Sequence, residues 1–200
     1  MISCILIAGG ESARFGSPKA LARLNGATVI EHLQKELLSS YIDEIVIVTG
    51  AMHERIETVI FKHEKVKVVY NKDYNFGQTT SVKAGLKSVA PAAKGFMLLP
   101  VDFPLVKSMT INFLIQYFLT NPALIIIPTY NGHKGHPPVY RMSLMHEMLA
   151  LDDSSGVNTV AHHHQNETLL VSVNDEGVTK SFNTPEEFKQ IQLAFKARVV

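Results

Sequence analysis

Short apolar runs alternate along this chain with segments whose apolar residues recur at helical spacing. Ile2–Ala8, predominantly apolar from Ile2 to Ile7, predicts a buried first strand. Thr28–Ser40 places Ile30, Leu33, Leu37 and Leu38 on one side of a helix. Glu44–Thr49, rich in β-branched residues, predicts a second strand, and His53–Lys62 a helix. Val66–Tyr70 reads as a third strand, Thr79–Val89 as a helix, and Gly95–Leu99 as a fourth strand running into Pro100-Val101-Asp102. Lys107–Leu119 predicts a helix and Ala123–Pro128 a fifth strand.

The last third is less regular. Gly132–Tyr140 carries glycines and two prolines and reads as a functional loop leading into a strand. Leu144–Leu151 and Gly156–His164 predict short helices, Thr168–Val173 a strand, and Pro185–Lys196 a closing helix. Thr184 before Pro185, with Glu186 and Glu187 following, is a helix-start signal. The alternation predicts βαβ units, hence an α/β fold with a mainly parallel sheet covered by helices on both faces. No repeat, low-complexity segment or linker interrupts the pattern, so a single domain over residues 1–200 is expected. In open sheets of this kind ligands bind beyond the carboxyl ends of the strands. That rule gathers the segment after the first strand, Asn71 after the third, Asp102 after the fourth and Gly132–Pro138 after the fifth.

A formal net charge of +1 gives no reason to expect broad binding to nucleic acid or membrane, so anion binding should be local. The one cysteine, Cys4, lies in the first strand and reads as a small core residue; a lone thiol fits a reducing compartment. The N-terminus shows no secretory pattern and no apolar stretch is long enough to span a bilayer, so a cytoplasmic location is expected.

The densest chemistry is Ile7-Ala8-Gly9-Gly10-Glu11-Ser12-Ala13-Arg14-Phe15-Gly16-Ser17-Pro18-Lys19. Small residues directly after a buried strand let the backbone N–H groups of Gly9 and Gly10 approach phosphate oxygens. Ser12 can donate another hydrogen bond, Arg14 can bind phosphate with its planar fork, and Lys19 offers a compact mobile charge. The spacing matches neither a Walker loop nor the dinucleotide G-x-G-x-x-G pattern. Asp102, at a strand end, can hold Mg²⁺ while water and substrate phosphates complete the octahedron, or can cap the next helix. Asn183, just before the closing helix, can serve as its cap. His136 sits in a proline-stiffened loop, where it can donate a hydrogen bond or only shape the turn. Gly77-Gln78-Thr79-Thr80-Ser81 opens a helix whose N-terminus and Ser81 suit a base, ribose or phosphate. His162-His163-His164 points three ways around a helix and reads as a solvated end.

Ile7 through Lys19 resembles the L-A-G/A-G-x-S-x-R-M-G-x-x-K signature of MobA-like nucleotidyltransferases, with Phe15 in place of the usual methionine. The resemblance extends from Ile2 to about Phe188. It implies a Rossmann-like three-layer α/β/α sandwich of the nucleotide-diphospho-sugar transferase type. It also implies transfer of a nucleoside monophosphate from an NTP to a phosphate-bearing acceptor, with release of pyrophosphate and dependence on Mg²⁺. Nucleotide contacts are then expected at Ala8, Gly9, Gly10, Ser12, Arg14, Lys19, Asn71 and Ser81, and catalysis at Arg14, Lys19 and Asp102. Metal contacts are expected at Asp102 and Asn183, although Ser181 departs from the acidic residue common two positions before Asn183. Gly135-His136-Pro137-Pro138 resembles the G-H-P segment of molybdenum-cofactor cytidylyltransferases and makes His136 the acceptor contact, whereas Ala8-Gly9-Gly10 resembles the guanylyltransferase form. The leading expectation is transfer of CMP from CTP to molybdopterin. The alternatives are GTP as donor, another small phosphate as acceptor, or a non-catalytic nucleotide sensor or chaperone. A molybdoenzyme or its chaperone would then be the protein partner.

Overall fold

In the computed structural model, which describes residues 1–199, the apolar runs become strands of one sheet. In chain order the strands are β1 Ile2–Ile7, β2 Arg23–Leu24, β3 Ala27–Thr28, β4 Glu44–Thr49, β5 Val66–Tyr70, β6 Gly95–Pro100, β7 Ile125–Tyr130, β8 His133–Lys134, β9 Val139–Arg141 and β10 Thr168–Ser172. The helices are α1 Val29–Leu38, α2 His53–Glu57, α3 Gln78–Leu86, α4 Ser108–Thr120, α5 Met145–Ala150, α6 Asn158–His163 and α7 Pro185–Val199. The eight-stranded sheet runs β10-β7-β9-β6-β1-β4-β5, with β8 paired to β7, while β2 and β3 form a separate hairpin.

Two apolar layers flank the sheet because successive side chains of a strand face opposite ways. Ile2, Cys4 and Leu6 of β1 join a core with Ile30, Leu33 and Leu37 of α1, Leu114 and Phe118 of α4, and Phe188 and Ile191 of α7. Ile5 and Ile7 join a second core with Val82 and Leu86 of α3, Met148 of α5 and Val160 of α6. The result is the three-layer α/β/α sandwich expected from the sequence. Cys4 is wholly buried, and burial pushes its thiol pKa far up. Gly85 lets α3 lie close on the sheet, since a Cβ there would meet Cγ2 of Ile5 at 2.5 Å. Among the described residues no helix is long and apolar enough to cross a membrane.

One expectation needs correction, and two further features went unread. The helix read over His53–Lys62 ends at Glu57. Beyond it the Gln34 side chain of α1 donates to Val59 O (3.1 Å) and accepts from Phe61 N (2.7 Å), replacing helical hydrogen bonds. The sheet is parallel except where β9 enters antiparallel between β6 and β7 and β8 folds back on β7. The β2–β3 hairpin, turning through Asn25 and Gly26 at positive φ, went unread.

Candidate active site

β1 and β6 are parallel neighbours, with Ile7 opposite Pro100, and Val101 N donates to Ile7 O at 3.0 Å. The segments that follow the two strands therefore emerge side by side. After β1 the chain turns on Ser12, held in the left-handed region (φ 56°), and Gly16 (φ 78°). Phe15 N and Gly16 N donate to Ser12 O at 2.9 and 3.1 Å, and Lys19 N donates to Ser12 Oγ at 3.2 Å. Ser12 thus spends its hydroxyl on the turn. The Phe15 ring meets Phe182 and Phe188 edge-on, with centroids 5.1 and 5.4 Å away, fastening this loop to the start of α7.

That fastening brings four side chains together. Lys19 Nζ donates to Asp102 Oδ2 and to Asn183 Oδ1, each at 2.9 Å. Arg14 Nη2 donates to the same Asn183 oxygen at 3.2 Å. The Lys19 ammonium also stands 5.5 Å from the Phe182 ring centroid, a cation–π distance. Asp102 Oδ1 is buried and has no hydrogen-bond partner. Such an orphaned carboxylate oxygen is a hard, anionic acceptor, and a single carboxylate with substrate phosphates is a normal Mg²⁺ donor set. The residues present therefore fit the ion that the sequence implied.

The four side chains line a cleft of about 520 Å³. Of the residues expected to touch nucleotide, acceptor or metal, Ala8, Gly10, Ser12, Arg14, Lys19, Ser81, Asp102, His136 and Asn183 all line it. Gly9 and Asn71 do not. Gly9 faces the end of β4, where a Cβ would lie 3.0 Å from both Thr49 C and Gly50 N; its carbonyl accepts from Ala51 N at 3.0 Å. Asn71 is buried, and its Nδ2 donates to Thr80 Oγ1 (2.9 Å) and Ser81 Oγ (3.0 Å) while Asp73 N donates to its Oδ1 (3.1 Å). Its amide ties the end of β5 to the start of α3, with both amide hydrogens engaged within the protein. Tyr74, Asn75, Gln78 and Phe103 also line the cleft and were missed. Their only sequence signal was amide and aromatic residues crowded beside Gly77 and Asp102.

His136 sits where the hairpin returns toward β9. His136 N donates to Val178 O at 2.7 Å, and Gly135 is confined there because a Cβ would meet the same oxygen at 2.3 Å. The His136–Pro137 bond is cis. The imidazole lies 4.4 Å centroid to centroid from Phe103, and its Nδ1 is buried without a partner. Burial pushes its pKa down, against the backbone of Leu98 and the charge of Asp102, so the ring is neutral at pH 7. A second cavity of about 350 Å³ shares Ile7, Gln78, Pro100 and His136 with the first; its walls are mostly apolar, including Val82, Leu98, Ile127 and Tyr140. Away from both, His164 is held between Glu147 (2.7 Å) and Glu167 (2.8 Å), and His163 meets Glu147 at 3.0 Å. His163 and His164 of the histidine run are thus engaged with carboxylates.

A family model described as the MobA-like NTP transferase domain matches residues 4–168. A probable molybdenum cofactor guanylyltransferase of Bacillus cereus (strain G9842) is 31% identical over 132 residues, 65% of this chain and 62% of that protein. The chain thus spans less than two thirds of the length of such curated relatives. A nucleotidyl transferase from Methanothermobacter thermautotroptrophicus superposes with a TM-score of 0.84 at 22% identity, covering 99% of each chain. Rv0371c of Mycobacterium tuberculosis H37Rv, solved in complex with manganese, superposes at 0.77 with 20% identity, covering 96% of this chain and 98% of the other. At these identities the two structures establish the shared fold.

Proposed function

Because the chain belongs to the MobA-like NTP transferase family, we propose that it transfers a nucleoside monophosphate from an NTP to the terminal phosphate of molybdopterin. The observation that supports this reading is the meeting of Arg14, Lys19, Asp102 and Asn183 at one cleft beside the open backbone of Gly10. The acceptor's phosphate oxygen attacks the α-phosphorus in line, and pyrophosphate leaves. No protein nucleophile is needed, so positioning and electrostatics supply the rate enhancement. Gly10 leaves room for a phosphate against the backbone. Lys19 and Arg14 stabilise the charge that grows on the departing pyrophosphate. Asp102 Oδ1 would hold Mg²⁺, which supplies charge neutralisation across the phosphates. Neutral His136, with its free Nδ1, orients the acceptor from the wall shared with the second cavity.

CTP is the primary donor in this reading, on the strength of the Gly135-His136-Pro137 segment. GTP is the second, favoured by the guanylyltransferase names of the curated relatives. Pyrophosphate release with molybdopterin, Mg²⁺ and either CTP or GTP separates them. Turnover with CTP alone supports the primary reading and turnover with GTP alone replaces it. Turnover only with a different phosphate acceptor refutes molybdopterin as substrate. NTP binding without turnover on any acceptor refutes the enzyme and leaves a nucleotide sensor.

A further inference from the structure

We infer that Asn183 is a positioning residue for the two cations of the cleft and not a ligand of the metal; this rests on the proposed function, which makes the cleft a polyphosphate site. The amide oxygen of Asn183 has two lone pairs. One accepts from Lys19 Nζ at 2.9 Å and the other from Arg14 Nη2 at 3.2 Å. Both of its acceptor positions are therefore directed at positive nitrogens, and a divalent cation on the same oxygen would stand against two like charges. Asp102 is arranged in the opposite way. Its Oδ2 takes the remaining contact of Lys19, while its Oδ1 is buried and free. The free anionic acceptor of the pair belongs to Asp102, and the saturated neutral one to Asn183.

The neutrality of residue 183 is what makes this useful. Two cations against one carboxylate leave the four-residue cluster one positive charge, where an aspartate at 183 would leave none. A side chain that gathers Lys19 and Arg14 without cancelling either presents them jointly to a polyanion, even without metal. The flanking structure supports the same role. Phe182 is fully buried and stands under the Lys19 ammonium, and Asn183 N and Thr184 N are both held by Glu187 Oε2, at 2.5 and 3.2 Å. The backbone that carries the amide is thus fixed independently of the side chain, and Asn183→Ala should fold.

The test is calorimetric titration of CTP, and of GTP, into wild type, Asn183→Ala and Asp102→Asn, each in EDTA and in excess Mg²⁺. For Asn183→Ala the expected result is a loss of about tenfold in affinity, of the same size with and without Mg²⁺, because hydrogen bonds to charged groups are lost in both conditions. Asp102→Asn should lose only the gain that Mg²⁺ brings, and should bind metal-free nucleotide at least as tightly as wild type. Asn183→Asp, which keeps the oxygen, serves as the second variant: it should hold both side chains but bind metal-free nucleotide more weakly than wild type, as the added charge dictates. A loss in Asn183→Ala confined to Mg²⁺ would make Asn183 a metal ligand and overturn the inference, as would no loss in either condition. Wild type that binds neither nucleotide refutes the polyphosphate site itself, a failure distinct from a wild type that binds while Asn183→Ala behaves as a ligand variant.

Discussion

Gly9 and Gly10 are neighbours in sequence, and their replacement by alanine should give opposite phenotypes. A Cβ on Gly9 would lie 3.0 Å from Thr49 C, 3.0 Å from Gly50 N and 3.2 Å from Thr49 O. All three are backbone atoms at the end of β4 and cannot rotate aside, so β1 and β4 must part. Overpacking of this kind costs about 1–3 kcal/mol. At 2–4 °C per kcal/mol for a chain of this length, Gly9→Ala should melt roughly 2–12 °C below wild type. A Cβ on Gly10 meets nothing within 4 Å. Its backbone angles suit alanine, so Gly10→Ala should keep its stability or gain about 0.4–1 kcal/mol from a less flexible unfolded chain. The methyl group would occupy space beside the cleft that a phosphate needs, and nucleotide affinity should fall about tenfold, the equivalent of one lost charge-assisted hydrogen bond. Thermal melts and calorimetric titration on the two variants measure both quantities. If Gly10→Ala binds CTP and GTP like wild type, the phosphate does not approach the backbone at Gly10. If Gly9→Ala melts like wild type, the tight contact with β4 is not there.

Lys19→Met should remain folded but lose about 2.7–4 kcal/mol of transition-state stabilisation, a hundredfold to thousandfold in turnover by pyrophosphate release; near-normal turnover would remove Lys19 from the chemistry. Cys4 should resist thiol reagents in the native protein and react fully once unfolded, because burial holds its thiol protonated; rapid native labelling would contradict its place in the core. His164 has a raised pKa, from its hydrogen bond to Glu167 first and then that to Glu147, whose own pKa is lowered by His163 and His164. A raised folded pKa adds stability that is fully present below about pH 6.5 and fades as pH rises through the elevated value. The melting difference between wild type and His164→Gln should therefore be larger at pH 6 than at pH 9; a difference that does not change with pH would deny the charged pair. Nucleotide and Mg²⁺ should each tighten the other by the same factor in titrations run in both orders, and independent affinities would refute the linkage argued below for Lys19 and Asp102.

The fold was largely legible because its signals are local: buried strands read as apolar runs and helices as one-sided stripes. What escaped depends on contacts between distant segments, or on elements too short to show a period. A strand after the Gly132–Tyr140 loop was expected, but β9 is three residues long, and nothing local shows that it runs antiparallel between β6 and β7. The β2–β3 hairpin did carry a signal, the Asn25-Gly26 pair that favours a tight hairpin turn, but its strands of two residues are too short to alternate. The site divides the same way. Lys19 and Asp102 follow the ends of strands that prove adjacent, so their meeting was foreseeable. Gly9 could not be told from Gly10, because what separates them is the end of β4. Asn71 follows β5 at the expected sheet edge yet turns its amide inward to α3. Asn183 was placed near the metal from its surroundings in sequence. Which atoms its oxygen serves depends on Lys19, 164 residues away.

The cleft holds its charges in balance before a ligand enters, and this dictates how a ligand can enter. Lys19 and Asp102 are both only partly exposed, with side-chain exposures of 13% and 21%. A carboxylate in such a position is costly to leave without a counter-charge. A polyphosphate that draws Lys19 away therefore strands Asp102, unless a second cation reaches Asp102 at the same moment. Asp102 is prepared for that exchange, since its Oδ1 is already free while Oδ2 is still bound to the ammonium. Lys19 is prepared as well, because Asn183 and the Phe182 face hold it from the other side while its bond to Asp102 is released. Each side chain thus has a standing contact and an exchangeable one. That division links the affinities for nucleotide and cation, and it follows from where two oxygens of one aspartate and one oxygen of an asparagine point.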